Sequence, residues 1–256
     1  MKMKPLLLSF DLEPYEKAGA KGFHIGYEGG KVVQKMLERV NMQTTLFVTT
    51  RFYQRFPDFV GELSRTHEIA FHGLNHTDDY QTLSEDEAFE KLMKGKNQIE
   101  KGVHQKINGF RAPRMRPPSY TVLKKVGFTY SSSLHPTYVP GRYNHFRSPR
   151  SPFVAQGVLE IPVSVVTFFR LPLSWVWFRQ LGKTYARLLV SMMRTDYLCI
   201  YFHPWEFVPL KHGGILHTRN TGKKMEHALE QFLNWISSRT ESVTMGEFAR
   251  ETLKAE

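Results

Sequence analysis

Cysteine is nearly absent. Cys199 is the single one in 256 residues, so no disulfide can form within the chain and nothing points to an oxidising compartment. It sits in the run Tyr197–Phe202, which reads as a buried strand with a small core thiol. Long hydrophobic runs are missing too. A membrane span needs about 18 uncharged apolar residues; the stretch Leu159–Leu181 comes nearest, and Glu160, Arg170 and Arg179 interrupt it. The apolar residues after the basic start MKMKP end at Asp11, short of the roughly 7–15 of a secretory signal core. A cytoplasmic protein is the expectation. Acids are scarce in one region: between Lys101 and Thr195, Glu160 stands alone against 15 Lys and Arg, in a chain of net charge +11. Such a bias suits an anionic partner, and equally a solvated basic face. No nucleic-acid-binding motif accompanies it, so no nucleic acid is expected as a partner.

Repeats, low-complexity tracts and linkers are also lacking, and residues 1–256 are expected to form one domain. What is present is an alternation of apolar runs with helical patterns. Strands are expected at Pro5–Phe10, Thr44–Val48, Glu68–Phe71, Ile107–Phe110, Leu159–Val166 and Tyr197–Phe202. Helices are expected at Gly30–Val40, Phe56–Arg65, from a Ser84/Glu87 capping box toward Gly102, from Pro117-Pro118 to Gly127, at Trp175–Arg194, and finally at Lys223–Arg239. Alternating βα units with near-continuous apolar strands imply a parallel sheet covered by helices. Seven or eight units fit, which favours a (β/α) barrel, complete or not, over an open sheet.

In such a barrel the chemistry lies at the C-terminal ends of the strands. Strand one ends in Ser9-Phe10-Asp11-Leu12-Glu13, and two carboxylates two apart in an extended segment point the same way. A later strand ends in His72-Gly73-Leu74-Asn75-His76, where two imidazoles four apart on a helical turn can share one metal ion. Arg111-Ala112-Pro113-Arg114 follows the next strand, and a fixed guanidinium there can orient a carboxylate or hold a substrate oxygen. The late strand ends in Phe202-His203-Pro204-Trp205-Glu206. Each signal is weak alone. A solvated acidic triplet, a chance spacing among 11 histidines, a basic loop and a satisfied core histidine are the plain alternatives. Together they make a hydrolytic set. One carboxylate and two histidines can hold a divalent ion, a second carboxylate can act as base, and a separate histidine as acid.

These motifs, in this order, resemble those of the polysaccharide deacetylase family, the NodB-homology or carbohydrate esterase family four group. The HPWE form of the last one is similar to a peptidoglycan-deacetylase-like branch. The resemblance runs roughly from Leu6 to Glu206. It implies an α/β fold, a distorted (β/α) barrel of about seven strands, and metal-dependent hydrolysis of the N-acetyl or similar N-acyl amide of an amino sugar. By position in the motifs, Asp11 matches the catalytic base, and Glu13, His72 and His76 the ligands of one divalent ion. That ion would be zinc by ligand type, with cobalt, nickel or manganese able to serve. Arg111 and Pro113 match the R-x-P motif, Arg111 keeping Asp11 ionised, and His203 matches the acid that serves the tetrahedral intermediate or the leaving amine. Arg114 and Trp205 are expected to bind substrate. The chain departs from the family twice. D-x-E replaces the usual adjacent aspartates, and Tyr130-Ser131-Ser132-Ser133-Leu134 stands where many relatives carry an aspartate, which leaves the partner of Arg111 open.

Two other readings remain at this point: another amide hydrolase on the same scaffold, such as an allantoin-type ring opener or a sugar deformylase, and a silent glycan-binding protein. The expected substrate is an amino-sugar glycan, lipid-linked or otherwise anionic, met at the cytoplasmic face of the membrane. The basic segment and the run Phe168–Arg179, where aromatics and arginines interleave around Trp175 and Trp177, suggest peripheral contact with anionic lipid.

Overall fold

A computed structural model of the chain describes residues 3–255. Its strands are β1 (Lys4–Leu12), β2 (Thr45–Val48), β3 (Glu68–Phe71), β4 (Gly109–Phe110), β5 (Tyr130–Ser131), β6 (Tyr138–Val139), β7 (Tyr143–Asn144), β8 (Phe153–Ala155), β9 (Val158–Glu160), β10 (Leu198–Phe202) and β11 (Thr240–Ser242). The helices are α1 (Gly22–Val40), α2 (Thr50–Arg55), α3 (Pro57–Leu63), α4 (Glu85–Val103), α5 (Tyr120–Val126), α6 (Val176–Met192), α7 (Ile215–Thr218), α8 (Lys223–Ile236) and α9 (Met245–Ala255).

Seven strands run parallel in the order β10-β1-β2-β3-β4-β5-β9, with β8 antiparallel on β9 and β11 parallel to the start of β1. The expected distorted barrel is there. Its distortion lies between β9 and β10, which share no ladder. Pro162 ends the strand expected through Val166, and the chain from 161 to 175 stitches the gap irregularly. Ser164 N–H donates to Cys199 O (2.9 Å), Cys199 N–H to Ser164 Oγ (2.9 Å) and Trp175 N–H to Tyr201 O (3.1 Å). The hairpin of β6 and β7 stands apart from this sheet.

Strand parity sorts the side chains. Leu6, Leu8, Phe10 and Leu12 of β1 pack outward with α1 residues Val33, Met36 and Leu37 and with α8 residues Leu229 and Phe232. Leu7 packs in a second cluster with Phe47, Ala70, Tyr130, Leu159 and Cys199. Extended beyond the last ladder pair, the inward rows read 7-9-11-13 from β1, 70-72 from β3, 109-111 from β4 and 199-201-203 from β10. Asp11, Glu13, His72, Arg111 and His203 therefore continue the barrel interior at one end.

The helices depart from expectation at identifiable places. The Ser84/Glu87 capping box forms, and Gly127 closes α5 in the left-handed region at φ 88°. α1 begins eight residues before Gly30, because its glycines serve packing and carry no apolar signal. Helix α6 is kinked at Gly182, with φ 76°. The helix expected to be the last, now α8, is followed by β11 and α9.

Candidate active site and metal centre

Glu13, His72 and His76 offer ligand atoms that all lie within 4.8 Å of one another. Glu13 Oε2 is 3.2 Å from His72 Nε2 and 3.1 Å from His76 Nε2. The histidine pair does not sit on a helical turn as its spacing suggested. His72 continues β3, Gly73 reverses the chain at φ 83°, and a bend returns His76 to the same spot.

The outer nitrogens of both rings are engaged. His72 Nδ1 lies 2.8 Å from Arg111 O, an acceptor that keeps a proton on Nδ1, and Nε2 is turned toward Glu13. His76 Nδ1 lies 3.1 Å from Glu16 Oε1. The second Glu13 oxygen accepts from the Trp205 indole N–H at 3.2 Å. Burial pushes the Glu13 carboxyl up. The charge of His76, the hydrogen bond from His72 and the charge of His203 outweigh that and hold it at about 2. A buried carboxylate between two imidazole Nε2 atoms is a donor set that fits a divalent cation.

Asp11 and Arg111 form the next layer inward. Arg111 is fully buried and donates four hydrogen bonds: Nε to Ser132 O (2.9 Å), NH1 to Ser9 Oγ (2.9 Å) and Asp11 Oδ1 (2.8 Å), and NH2 to Ser132 Oγ (3.0 Å). Its guanidinium stacks over Phe47 at 4.1 Å. The partners of Arg111 that the sequence left open are thus Ser132, Ser9 and Asp11, and the Ser132 hydroxyl also donates to Ile161 O. Asp11 Oδ2 is left facing the cleft, 3.9 Å from both His72 Nε2 and His203 Nε2.

His203 is held from behind by Glu206. The Glu206 Oε2 atom accepts from His203 N–H at 2.9 Å and lies 3.4 Å from His203 Nδ1. The other Glu206 oxygen is paired with buried Arg179. His203 also stacks on Trp205, with ring centroids 4.7 Å apart. Trp205, expected on the substrate, is buried and binds Glu13, while also walling part of the cleft. Arg114, the other substrate candidate, is half-exposed on the cleft and pairs with Glu16 at 3.3 Å. Ser9, Ser132, Glu16, Glu206 and Arg179 are the working neighbours that motif reading missed. The Glu206 spacing from His203, together with the HPWE wording, was the one available signal.

The family model for polysaccharide deacetylases matches residues 2–131. The chain belongs to the polysaccharide deacetylase family. A second family model, a domain of unknown function (DUF3473), matches residues 132–241. The deacetylase match therefore contains Asp11, Glu13, His72, His76 and Arg111, while His203 and its supports fall in the second segment. Solved structures share the deacetylase fold. A Mycobacterium smegmatis protein assigned to the polysaccharide deacetylases is 18% identical over 99% of this chain and 91% of that chain, with a TM-score of 0.73. A counterpart from Pseudomonas aeruginosa PAO1 is 17% identical over 98% and 91%, with a TM-score of 0.69. The Puue allantoinase is 17% identical over 96% and 89%, with a TM-score of 0.63. Among curated proteins, none matches the chain.

Proposed function

We propose that the chain hydrolyses the N-acetyl, or a similar N-acyl, amide of an amino sugar within a glycan, using one divalent ion. The observation that carries this reading is convergence. Residues from the ends of β1, β3, β4 and β10 meet in one buried cluster with a cation-binding face and a proton-handling face. Glu13, His72 and His76 would hold the ion, zinc by ligand type, with cobalt, nickel or manganese as substitutes. When bound, such an ion polarises an amide carbonyl and acidifies water.

The remaining steps belong to the chain's own groups. Asp11 Oδ1 is fixed by Arg111, so Oδ2 is the oxygen free to take the proton of the attacking water. His203 presents Nε2 to the same space, 3.9 Å from Asp11 Oδ2, and gives a proton to the leaving amine. Glu206 behind Nδ1 keeps that ring oriented. The products are a carboxylate and a free amino sugar.

Acetate release from N-acetylated oligosaccharides, with and without a chelator, tests the reading. Activity should fall with chelation, His72→Ala with His76→Ala should lose the ion, and Asp11→Asn should keep it while losing turnover by at least about a hundredfold. Chelator-insensitive release, or full metal retention in the double variant, would move the chemistry elsewhere. The shared fold with an allantoinase makes a ring amide the comparison substrate in the same panel.

We further propose that the glycan is lipid-linked and met at an anionic membrane on the cytoplasmic side. No helix among the described residues is long and apolar enough to cross a membrane. Phe168 and Phe169 are 83% and 68% exposed, and Leu181, Leu188 and Met192 lie open along α6. These residues, more than the half-buried Trp175 and Trp177 singled out in the sequence, are free to meet lipid; Trp175 walls the cleft instead.

A further inference from the structure

The cleft has two lobes that share His76, Arg142, Trp175 and His203. One lies over Asp11 and His72 with Tyr143 and Tyr201. The other extends past Glu13 and Trp205 to Tyr15, Glu16, Lys17 and His217. Tyr15, Lys17, Arg142 and His217 of the second lobe take no part in the hydrolytic steps.

Its charges do not balance internally. Glu13 is occupied by the two imidazoles and the Trp205 indole, and Glu16 by His76 and Arg114. Arg142 and Lys17 have no carboxylate partner among the described residues. Arg142 is instead stacked on the Trp175 ring, its guanidinium carbon 4.8 Å from the ring centroid, and Trp175 in turn stands edge-on to His203 at 5.5 Å. A guanidinium held by its face keeps its N–H edge free, the geometry that grips a carboxylate or phosphate in its own plane. Two buried ring nitrogens on the same wall, Trp175 Nε1 and His217 Nδ1, also lack a protein partner among the described residues. Buried polar atoms without partners are uncommon, and here they lie beside unpaired cations. Burial, then the charges of Lys17, Arg179 and Arg142, push the His217 imidazole down.

We propose that this second lobe is an anion subsite, in which Arg142, with Lys17 and His217, binds a carboxylate or phosphate carried by the glycan next to the sugar being deacylated. The inference rests on the deacetylase reading for the neighbouring sugar, but the anion contact stands on its own groups. Arg142 sits between β6 and β7, and with His217 it lies in the segment outside the deacetylase match, whereas Lys17 lies within that match.

Binding and turnover separate the two claims. Affinities are measured by calorimetry in the Asp11→Asn background, so that ligands stay intact. The probes are a neutral chitin tetrasaccharide, a tetrasaccharide alternating glucuronate with N-acetylglucosamine, and UDP-N-acetylglucosamine. At least one anionic probe should bind about tenfold tighter than the neutral one, the worth of one charge-assisted contact. Preference for the uronate points to a carboxylate source, and preference for the nucleotide sugar to a phosphate source. Adding Arg142→Ala should bring the affinity ratio toward one, Arg142→Lys should keep part of it, and rising salt should erode it. Unchanged thermal midpoints keep these variants interpretable. Equal affinities for all three probes, or a preference that survives Arg142→Ala with Lys17→Ala, would overturn the subsite. Acetate release by the unmutated chain without charge preference removes the subsite and leaves the deacetylase; charge preference without release from any probe does the reverse.

Discussion

Arg111→Met would leave the Asp11 carboxylate buried with no cation beside it and would empty four hydrogen bonds at once. Breaking a buried pair on one side costs about 3–5 kcal/mol, and urea denaturation of the variant should show a loss of that order. Arg111→Lys should recover little, because an ammonium cannot reach Ser9, Asp11 and both Ser132 oxygens in one plane. A loss below about 1 kcal/mol for the methionine variant would refute a stabilising role for this buried pair. The arginine itself was legible in the sequence, since it follows a strand and opens an R-x-P. Its serine partners were not. A serine inside a strand has no periodic or charge signature, and Ser9 lies 102 positions from Arg111 and Ser132 21. The same holds for Arg179: expected in a run that meets anionic lipid, it is buried and reaches Glu206 across 27 positions.

At the scale of elements, α1 is the most informative. Two of its glycines let the helix backbone press onto the loops that carry the site. A Cβ on Gly26 would sit 2.4 Å from Glu13 O, and one on Gly29 1.9 Å from Pro204 O. The obstacle in each case is backbone, which cannot swing away. By propensity alone Gly29→Ala should stabilise a helix by about 1 kcal/mol. Here overpacking should prevail and cost about 1–3 kcal/mol, and His203, next to Pro204, should shift with it. Thermal unfolding together with acetate release checks this; a variant more stable than the parent and fully active would refute the close approach. Periodicity reading missed the first turns of α1 for the same reason, because it counts apolar side chains and the contact is made by their absence. It overextended β9 for the opposite reason, since Ile161, Val163, Val165 and Val166 are apolar and buried yet lie in an irregular segment around Pro162.

For the whole molecule, the barrel and its working end were readable because strand parity and strand-end placement act locally, whereas the seam, the second lobe and the exposed apolar face arise only when distant segments meet. Tyr185 OH donates to Pro172 O at 2.9 Å, tying the α6 stripe of Leu181, Leu188 and Met192 to the loop of Phe168 and Phe169. With the basic segment around it, this face should bind vesicles containing anionic lipid and release them as salt rises. In sedimentation assays Phe168→Ser with Phe169→Ser should leave most of the protein in the supernatant; equal recovery with neutral and anionic vesicles at low salt would dismiss the contact. The strand order carries one more consequence. β1 is flanked by β2, its near neighbour in sequence, and by β10, where Leu198 pairs with Leu6 across 192 positions. During synthesis Asp11, Glu13, His72, His76 and Arg111 all emerge long before His203, yet a domain generally folds as a unit. The edge of β1 that β10 covers stays open until that late strand is made. A chain cut short before Leu198 would therefore carry five of these six residues and still lack both the sixth and the strand that closes over β1.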